Sequence, residues 1–321
     1  MDMEKKIART YLAGNAQHGQ RLDAALAALF PVLGLRGRRR LWTGHLVLVD
    51  GIARSPAFRL QGGEFIRLVP ADPADVEKDA FSADPPRLLA RQGKVFFLYK
   101  PSGLHTEPLA GGSKSSLAGM LERIVPEVPA IRLLTRLDQE TSGIVVAAGD
   151  VNAAQYWRQQ ENAGGMEKRY LAVLEGRLDG ERLARNALDC AKTRRTRVLD
   201  ADAPILRHTR IRPLAYFQTV DAPELTSGYP GGACFTVALC CIAKGARHQI
   251  RAHAAHAGYP LAGDMLYGAQ GESSFSLHHC HIQWAEGQVS CLPLWHAMLP
   301  ACVRERVRIF SVCARNESGS A

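Results

Sequence analysis

Residues 132–148 read RLLTRLDQETSGIVVAA. An acid, Asp138, stands two residues after Arg136, and a Thr-Ser-Gly turn carries the chain from it into an unbroken apolar run, Ile144 to Ala148. Consecutive small and β-branched apolar residues after a turn predict a strand buried on both faces. A carboxylate on the loop feeding such a strand can be held rigidly at the floor of a cleft. Burial works against a charged carboxylate, so one that must stay ionised as a nucleophile needs a cation beside it. Arg136 is one candidate for that cation. Taken alone, the segment reads more readily as an arginine–aspartate surface pair followed by capping residues, and its sequence neighbours have to decide.

Further strands are predicted at 95–99 (VFFLY), 144–148, 170–174 and 234–242, and helices across 152–161 and 247–257, the second ended by Gly258. Residues 221–232, rich in Pro and Gly, form a loop between strands. This is a strand-rich mixed domain. The chain has no regular βαβ alternation, no GxGxxG and no phosphate loop, which disfavours a doubly wound nucleotide-binding fold. On the 247–257 helix, Arg247 and Arg251 are four residues apart and share a face, so one can enter a cleft while the other meets phosphate. Tyr170, in an apolar strand, is by itself a core tyrosine.

Upstream, residues 20–70 separate as a small α/β unit. Leu22, Ala25, Leu26 and Leu29 fall at helical spacing within 21–30, and an arginine run follows: Arg36, Arg38, Arg39 and Arg40. The apolar run 46–49 is broken by Asp50-Gly51, a hairpin signal, and 64–69 alternates as a strand. Residues 71–91 are rich in Pro, Asp and Ala and lack periodicity, so they read as a linker.

Bulk composition narrows the partners. The 321 residues include 40 Lys and Arg against 31 Asp and Glu, a net charge of +9, and a basic surplus of that size suits a polyanion, nucleic acid first. With 46% apolar and 22% charged residues the chain has the make-up of a globular protein. No run is long enough to span a bilayer, and MDMEKKIART is not a secretory signal. All 8 cysteines lie in the C-terminal half with no CxxC pair, as expected for reduced thiols in a cytoplasmic protein.

The string Thr135-Arg136-Leu137-Asp138-Gln139-Glu140-Thr141-Ser142-Gly143-Ile144 resembles the motif around the catalytic acid of the RluA family of pseudouridine synthases, with Thr135 where that family has His. Four further segments are similar and arrive in family order: VFFLYKPSG (95–103), KRYLAV (168–173), KGARHQIRAHAAHAGYPLAGDMLYG (244–268) and Leu277-His278. Ala246 marks a second departure, Gly245-Ala246-Arg247-His248 standing where Gly-Arg-Thr-His is common, so the positive charge is moved by one residue. The resemblance implies an α+β fold: a mixed, mainly antiparallel β-sheet catalytic domain at 92–315, behind a linker at 71–91. Residues 18–70 resemble the alpha-L type RNA-binding module found N-terminal to such domains, which implies RNA contacts from Arg21, Arg36, Arg38, Arg39 and Arg40, with Arg247 as a further phosphate contact.

The same resemblance implies isomerisation of specific uridines in ribosomal or transfer RNA, in the cytoplasm, without a cofactor, a metal or an obligatory protein partner. It makes Asp138 the nucleophile and Arg251 its salt-bridge partner. It sets Tyr170 against the uracil ring with its hydroxyl available for proton transfer, and Arg136 around the flipped nucleotide. Two rivals remain in view. A non-catalytic RNA-binding protein or chaperone could keep the fold. The cluster LHHCHI at 277–282, with Cys240-Cys241 nearby, could hold zinc, although the His-x-Glu and Pro-Cys-x-x-Cys of a zinc deaminase are absent.

Overall fold

The computed structural model describes residues 9–43, 45–49, 52–54, 56–70, 84–108, 116–191, 194–226, 228–269 and 275–312. The chain divides into two compact units, with the boundary between Pro85 and Pro86.

The first unit is a four-stranded antiparallel sheet of β1 (Arg9–Leu12), β2 (His45–Val49), β3 (Ile52–Ala53) and β4 (Phe65–Pro70), in the order β1-β4-β2-β3. It therefore starts before residue 18, because β1 pairs along β4. The strands flanking Asp50-Gly51 pair, Val49 opposite Ile52, while the two turn residues lie outside the described set. The helix expected over 21–30 is regular only across Leu22–Ala25 and continues as turns to Leu29. Its periodic Leu22, Ala25 and Leu26 are buried against Val47, Val49, Ile66 and Leu68, so the apolar stripe was a sound guide to packing even where the helix is short.

The second unit is built on a ten-stranded sheet. Its path runs β10 (Arg182–Ala184), β13 (Thr209–Gln218), β14 (Cys234–Ile242), β9 (Met166–Glu175), β15 (Leu277–Trp284), β8 (Ser142–Ala148), β6 (Val95–Lys100) and β5 (Arg87–Gln92). Short strands β7 (Arg132–Leu133) and β16 (Gly287–Ser290) pair with β8 and β15. All neighbours are antiparallel except β15 and β8, which gives the mixed, mainly antiparallel α+β architecture expected. A separate hairpin pairs β11 (Asn186–Asp189) with β12 (Arg197–Asp202). Every residue of β8 is buried, in keeping with its unbroken apolar sequence. On one side of the sheet Trp157, from the helix Val151–Asn162, packs with Phe97 and Trp284.

Residues 87–91, expected as the end of a linker, instead belong to the edge strand β5. The reason lies in how the edge is covered. Its arginines turn back over aromatic rings of β6, Arg87 at 4.2 Å from the Tyr99 centroid and Arg91 at 5.1 Å from that of Phe96, so charged residues occupy strand positions that hydrophobic alternation does not reveal. Residues 71–83 of the expected linker lie outside the described set.

Candidate active site

The loop carrying Asp138 is pinned from both sides. The Lys100 ammonium is fully buried and donates to the carbonyls of Pro101 (2.9 Å), Leu104 (2.7 Å) and Gln139 (2.9 Å). Ser102 Oγ donates to the Glu140 carbonyl at 2.7 Å. Thr106 Oγ1 donates to the Leu137 carbonyl at 2.7 Å and accepts the Leu137 N–H at 3.1 Å. The KPSG turn and the segment after it therefore bracket Asp138 with hydrogen bonds to Leu137, Gln139 and Glu140. Thr135, where the sequence departs from the family pattern, uses its hydroxyl to accept the Val146 N–H at 2.9 Å.

Beyond the loop, Gly143 has φ 116°, and a Cβ there would overlap the His279 backbone. Glycine is required because β15 approaches β8 at this point.

Arg251, on the helix Gln249–His256, reaches the acid from the opposite side. Its Nη1 donates to Asp138 Oδ2 at 3.2 Å, while Nε and Nη2 grip the buried Asp264 at 2.7 and 2.8 Å. Burial opposes the guanidinium's charge, but the two carboxylates more than offset it and raise its pKa. Arg136, weighed as a cationic neighbour, does not pair with Asp138; it is exposed on the rim. The ion partner comes from 113 residues away instead.

A cavity of about 270 Å³ opens over this pair, lined by Asp138, Tyr170, His248 and Arg251 among others, with Arg136 and Arg247 also on its wall. Tyr170 and His279 face each other across β9 and β15, their rings stacked at 4.5 Å and 13°. Burial, and then the charge of Asp138, pushes the Tyr170 phenol upward, so it holds its proton.

Arg247 does not share a helical face with Arg251. The helix starts only at Gln249, after His248 at φ 54°. A residue in that left-handed region breaks the helical spacing on which the expectation rested. Arg247 turns to the β11–β12 hairpin, where its Nη2 donates to the Ala191 carbonyl at 3.3 Å and its own carbonyl accepts from Thr196 Oγ1 at 3.0 Å. Ala246, the other departure, donates its N–H to Gln249 Oε1 at 2.9 Å.

Two residues of the site escaped the sequence reading as individuals, His248 and Asp264. Both stand inside quoted motifs, His-Gln-Ile-Arg and Gly-Asp-x-x-Tyr-Gly, and only distance distinguishes them from their neighbours.

The histidine–cysteine cluster is structural. His278 bonds Ser142 Oγ (2.8 Å) and the Cys291 carbonyl (2.9 Å), His279 the Ile144 carbonyl (2.6 Å), and His281 Ser290 Oγ (2.7 Å). Strand β9 separates Cys240 and Cys241 from these histidines. Among the described residues no group of three His, Cys, Asp or Glu side chains is placed to hold a metal. Burial pulls His278 down to about 4 and His279 to about 3.

In the first unit the arginine run divides by role. Arg39 pairs with the buried Asp23 at 2.6 Å, Arg21 joins it at 3.0 Å, and Arg38 donates to the Asp23 carbonyl at 2.9 Å. Arg36 and Arg40, four apart on the helix Leu35–Arg40, are exposed. No helix among the described residues is long and apolar enough to cross a membrane.

The chain was compared with known proteins. Residues 94–256 match the family model described as RNA pseudouridylate synthase. A ribosomal large subunit pseudouridine synthase D of Xanthomonas campestris is 33% identical over 259 residues, 78% of this chain and 72% of that protein. Its namesake in Xylella fastidiosa is 31% identical over 260 residues with the same two coverages. Among solved structures, human RNA pseudouridylate synthase domain containing 1 superposes with a TM-score of 0.53 at 18% identity, over 68% of this chain and 89% of that one, a likeness of fold. With half of its length inside the family model and relatives above 30% identity along most of it, the chain belongs to the RNA pseudouridylate synthase family.

Proposed function

We propose that this protein isomerises uridine to pseudouridine in ribosomal RNA of the large subunit, with Asp138 as the nucleophile. The observation that carries the reading is the Asp138 carboxylate, a quarter exposed at the cavity and held at 3.2 Å by Arg251. The reaction breaks the bond from the base nitrogen to the sugar, turns the uracil and rejoins it through carbon. It needs no energy donor, only an oriented carboxylate and a pocket for a base taken out of its stack, which costs a few kcal/mol. Arg251 aims the acid. Tyr170 offers a ring against which the uracil stacks. Arg136, on the rim, fills the place of the flipped nucleotide or meets its backbone.

Phosphate contacts from Arg36, Arg40 and the overall basic charge offset the cost of flipping, so affinity falls with salt. The names of the relatives favour large-subunit ribosomal RNA over transfer RNA, and a cytoplasmic location with no obligatory protein partner belongs to the same reading. The test is Asp138→Asn assayed on an unmodified large-subunit ribosomal RNA transcript. Loss of pseudouridine with RNA binding retained supports the assignment. A variant as fast as the wild type removes Asp138 and favours a different nucleophile, and a wild type that binds without converting uridine favours the RNA-binding alternative.

A further inference from the structure

His248 is the one described residue other than glycine with a positive φ, 54°. For an L-residue this conformation is strained and persists where the surroundings over-determine it. Here the determinant is Tyr267. His248 Nδ1 lies 3.0 Å from Tyr267 Oη, with the two rings edge to face at 84°. Tyr267 Oη already accepts the Thr196 N–H at 2.8 Å, and the Thr196 carbonyl is farther off, at 3.3 Å. The shorter path for the phenolic proton is to His248 Nδ1. The imidazole is then neutral with its remaining proton on Nε2. Burial favours the same neutral form, lowering the His248 pKa.

The strained backbone and the tyrosine together aim Nε2 at the cavity wall, 3.7 Å from Asp138 Oδ2. That separation is too long for a hydrogen bond, so the N–H is not consumed by the nucleophile. It stands beside the reacting carboxylate with its donor available. When the bond between N1 and C1′ of uridine breaks, its electron pair passes to the uracil ring and negative charge collects on the carbonyl oxygens. A fixed N–H at that position stabilises this charge without giving up its proton.

We propose that His248 is a catalytic residue whose Nε2–H donates a hydrogen bond to a carbonyl oxygen of the flipped uracil, with Tyr267 as the positioning residue that fixes its tautomer. The assignment rests on the pseudouridine reading above and adds a second reacting-site group to it. No proton is transferred at His248, and the histidine leaves the cycle as it entered.

The decisive variant is His248→Gly. Glycine adopts the same φ freely, so the backbone keeps its path while the imidazole is removed. Single-turnover pseudouridine formation and RNA affinity are measured on an unmodified large-subunit ribosomal RNA transcript, with thermal unfolding as the check on folding. The expected result is a rate about 100-fold lower, RNA affinity within about threefold of wild type, and partial recovery of rate with added imidazole. His248→Gln, which retains a side-chain N–H donor, recovers more rate than glycine, and Tyr267→Phe loses rate without losing affinity. If the wild type is active and His248→Gly is equally fast, or slows only in proportion to weaker RNA binding, the His248 assignment falls alone. If the wild type forms no pseudouridine, the underlying reading falls with it.

Discussion

Arg251 binds Asp264 with two hydrogen bonds, 2.7 and 2.8 Å, and gives Asp138 only its remaining amino group, at 3.2 Å. The buried aspartate is thus the anchor and the cavity-facing one the guest. A guanidinium fixed by a bidentate pair presents its third edge at a set angle, whereas one held by a single carboxylate would swing.

Asp264→Ala should therefore damage both stability and chemistry. It leaves Arg251 buried with one weak partner, and breaking a buried pair costs about 3–5 kcal/mol. The urea midpoint should drop, and in protein that remains folded the rate should fall more than RNA affinity. A fall in RNA affinity alone would contradict the anchoring role.

Lys100 matches three carbonyls with three N–H donors, and the Gln139 carbonyl ties it to the loop of Asp138. Lys100→Met keeps the volume and removes every donor. Each orphaned carbonyl costs about 1–3 kcal/mol, and hydrogen exchange of residues 137–141 should quicken. Unchanged exchange there would show that Thr106 and Ser102 suffice.

Gly143→Ala places a methyl group into the His279 backbone at φ 116°. With no flexible side chain able to yield, the sheet must open between β8 and β15. The loss should exceed about 4 kcal/mol, the range reached by single mutations with a specific structural cause, and it is read from equilibrium unfolding or from failure to accumulate folded protein.

Acid should weaken the second unit through its buried histidines. His278 is pulled down to about 4 and His279 to about 3 by burial, from an unfolded value near 6.5. Their folded pKa values are depressed, so the stability they contribute is fully present above pH 6.5 and is lost as pH falls toward 4 and 3. Between pH 7 and pH 5 the loss is about 2 kcal/mol for each histidine. Unfolding near pH 5.5 should take up protons, and a midpoint independent of pH across this window would contradict the assignment.

In the first unit, Arg36→Ala should weaken RNA binding and reduce its salt dependence by about one ion, with little effect on stability. Arg39→Ala should do the reverse and lower stability by leaving the buried Asp23 with Arg21 as its remaining ion partner. Equal effects on binding from both would show that the division of the run is not functional.

Sequence alone determined the reaction class and the sheet-rich fold, and it singled out Asp138, because ordered motifs and apolar, β-branched runs are local properties. The strand at 234–242 was legible to its ends, since a short apolar run with Phe, Thr, Val and Ile sits between a Pro/Gly-rich loop and Gly245. Edge strand β5 was not legible, because aromatic rings from another strand, rather than its own apolar residues, hold its arginines in place. Nor was the pairing of the Asp138 loop with Arg251. Arg136 lies two residues away and Arg251 113, but the near arginine stays exposed on the rim while the sheet and helix bring the distant one within 3.2 Å.

Tertiary structure also decided that Arg247 leaves the helix face, that His248 takes a strained turn toward Asp138, and that Asp264 steadies Arg251. Each of these depends on where separate elements end against one another. A linear motif names the residues, and packing sets the distances between them.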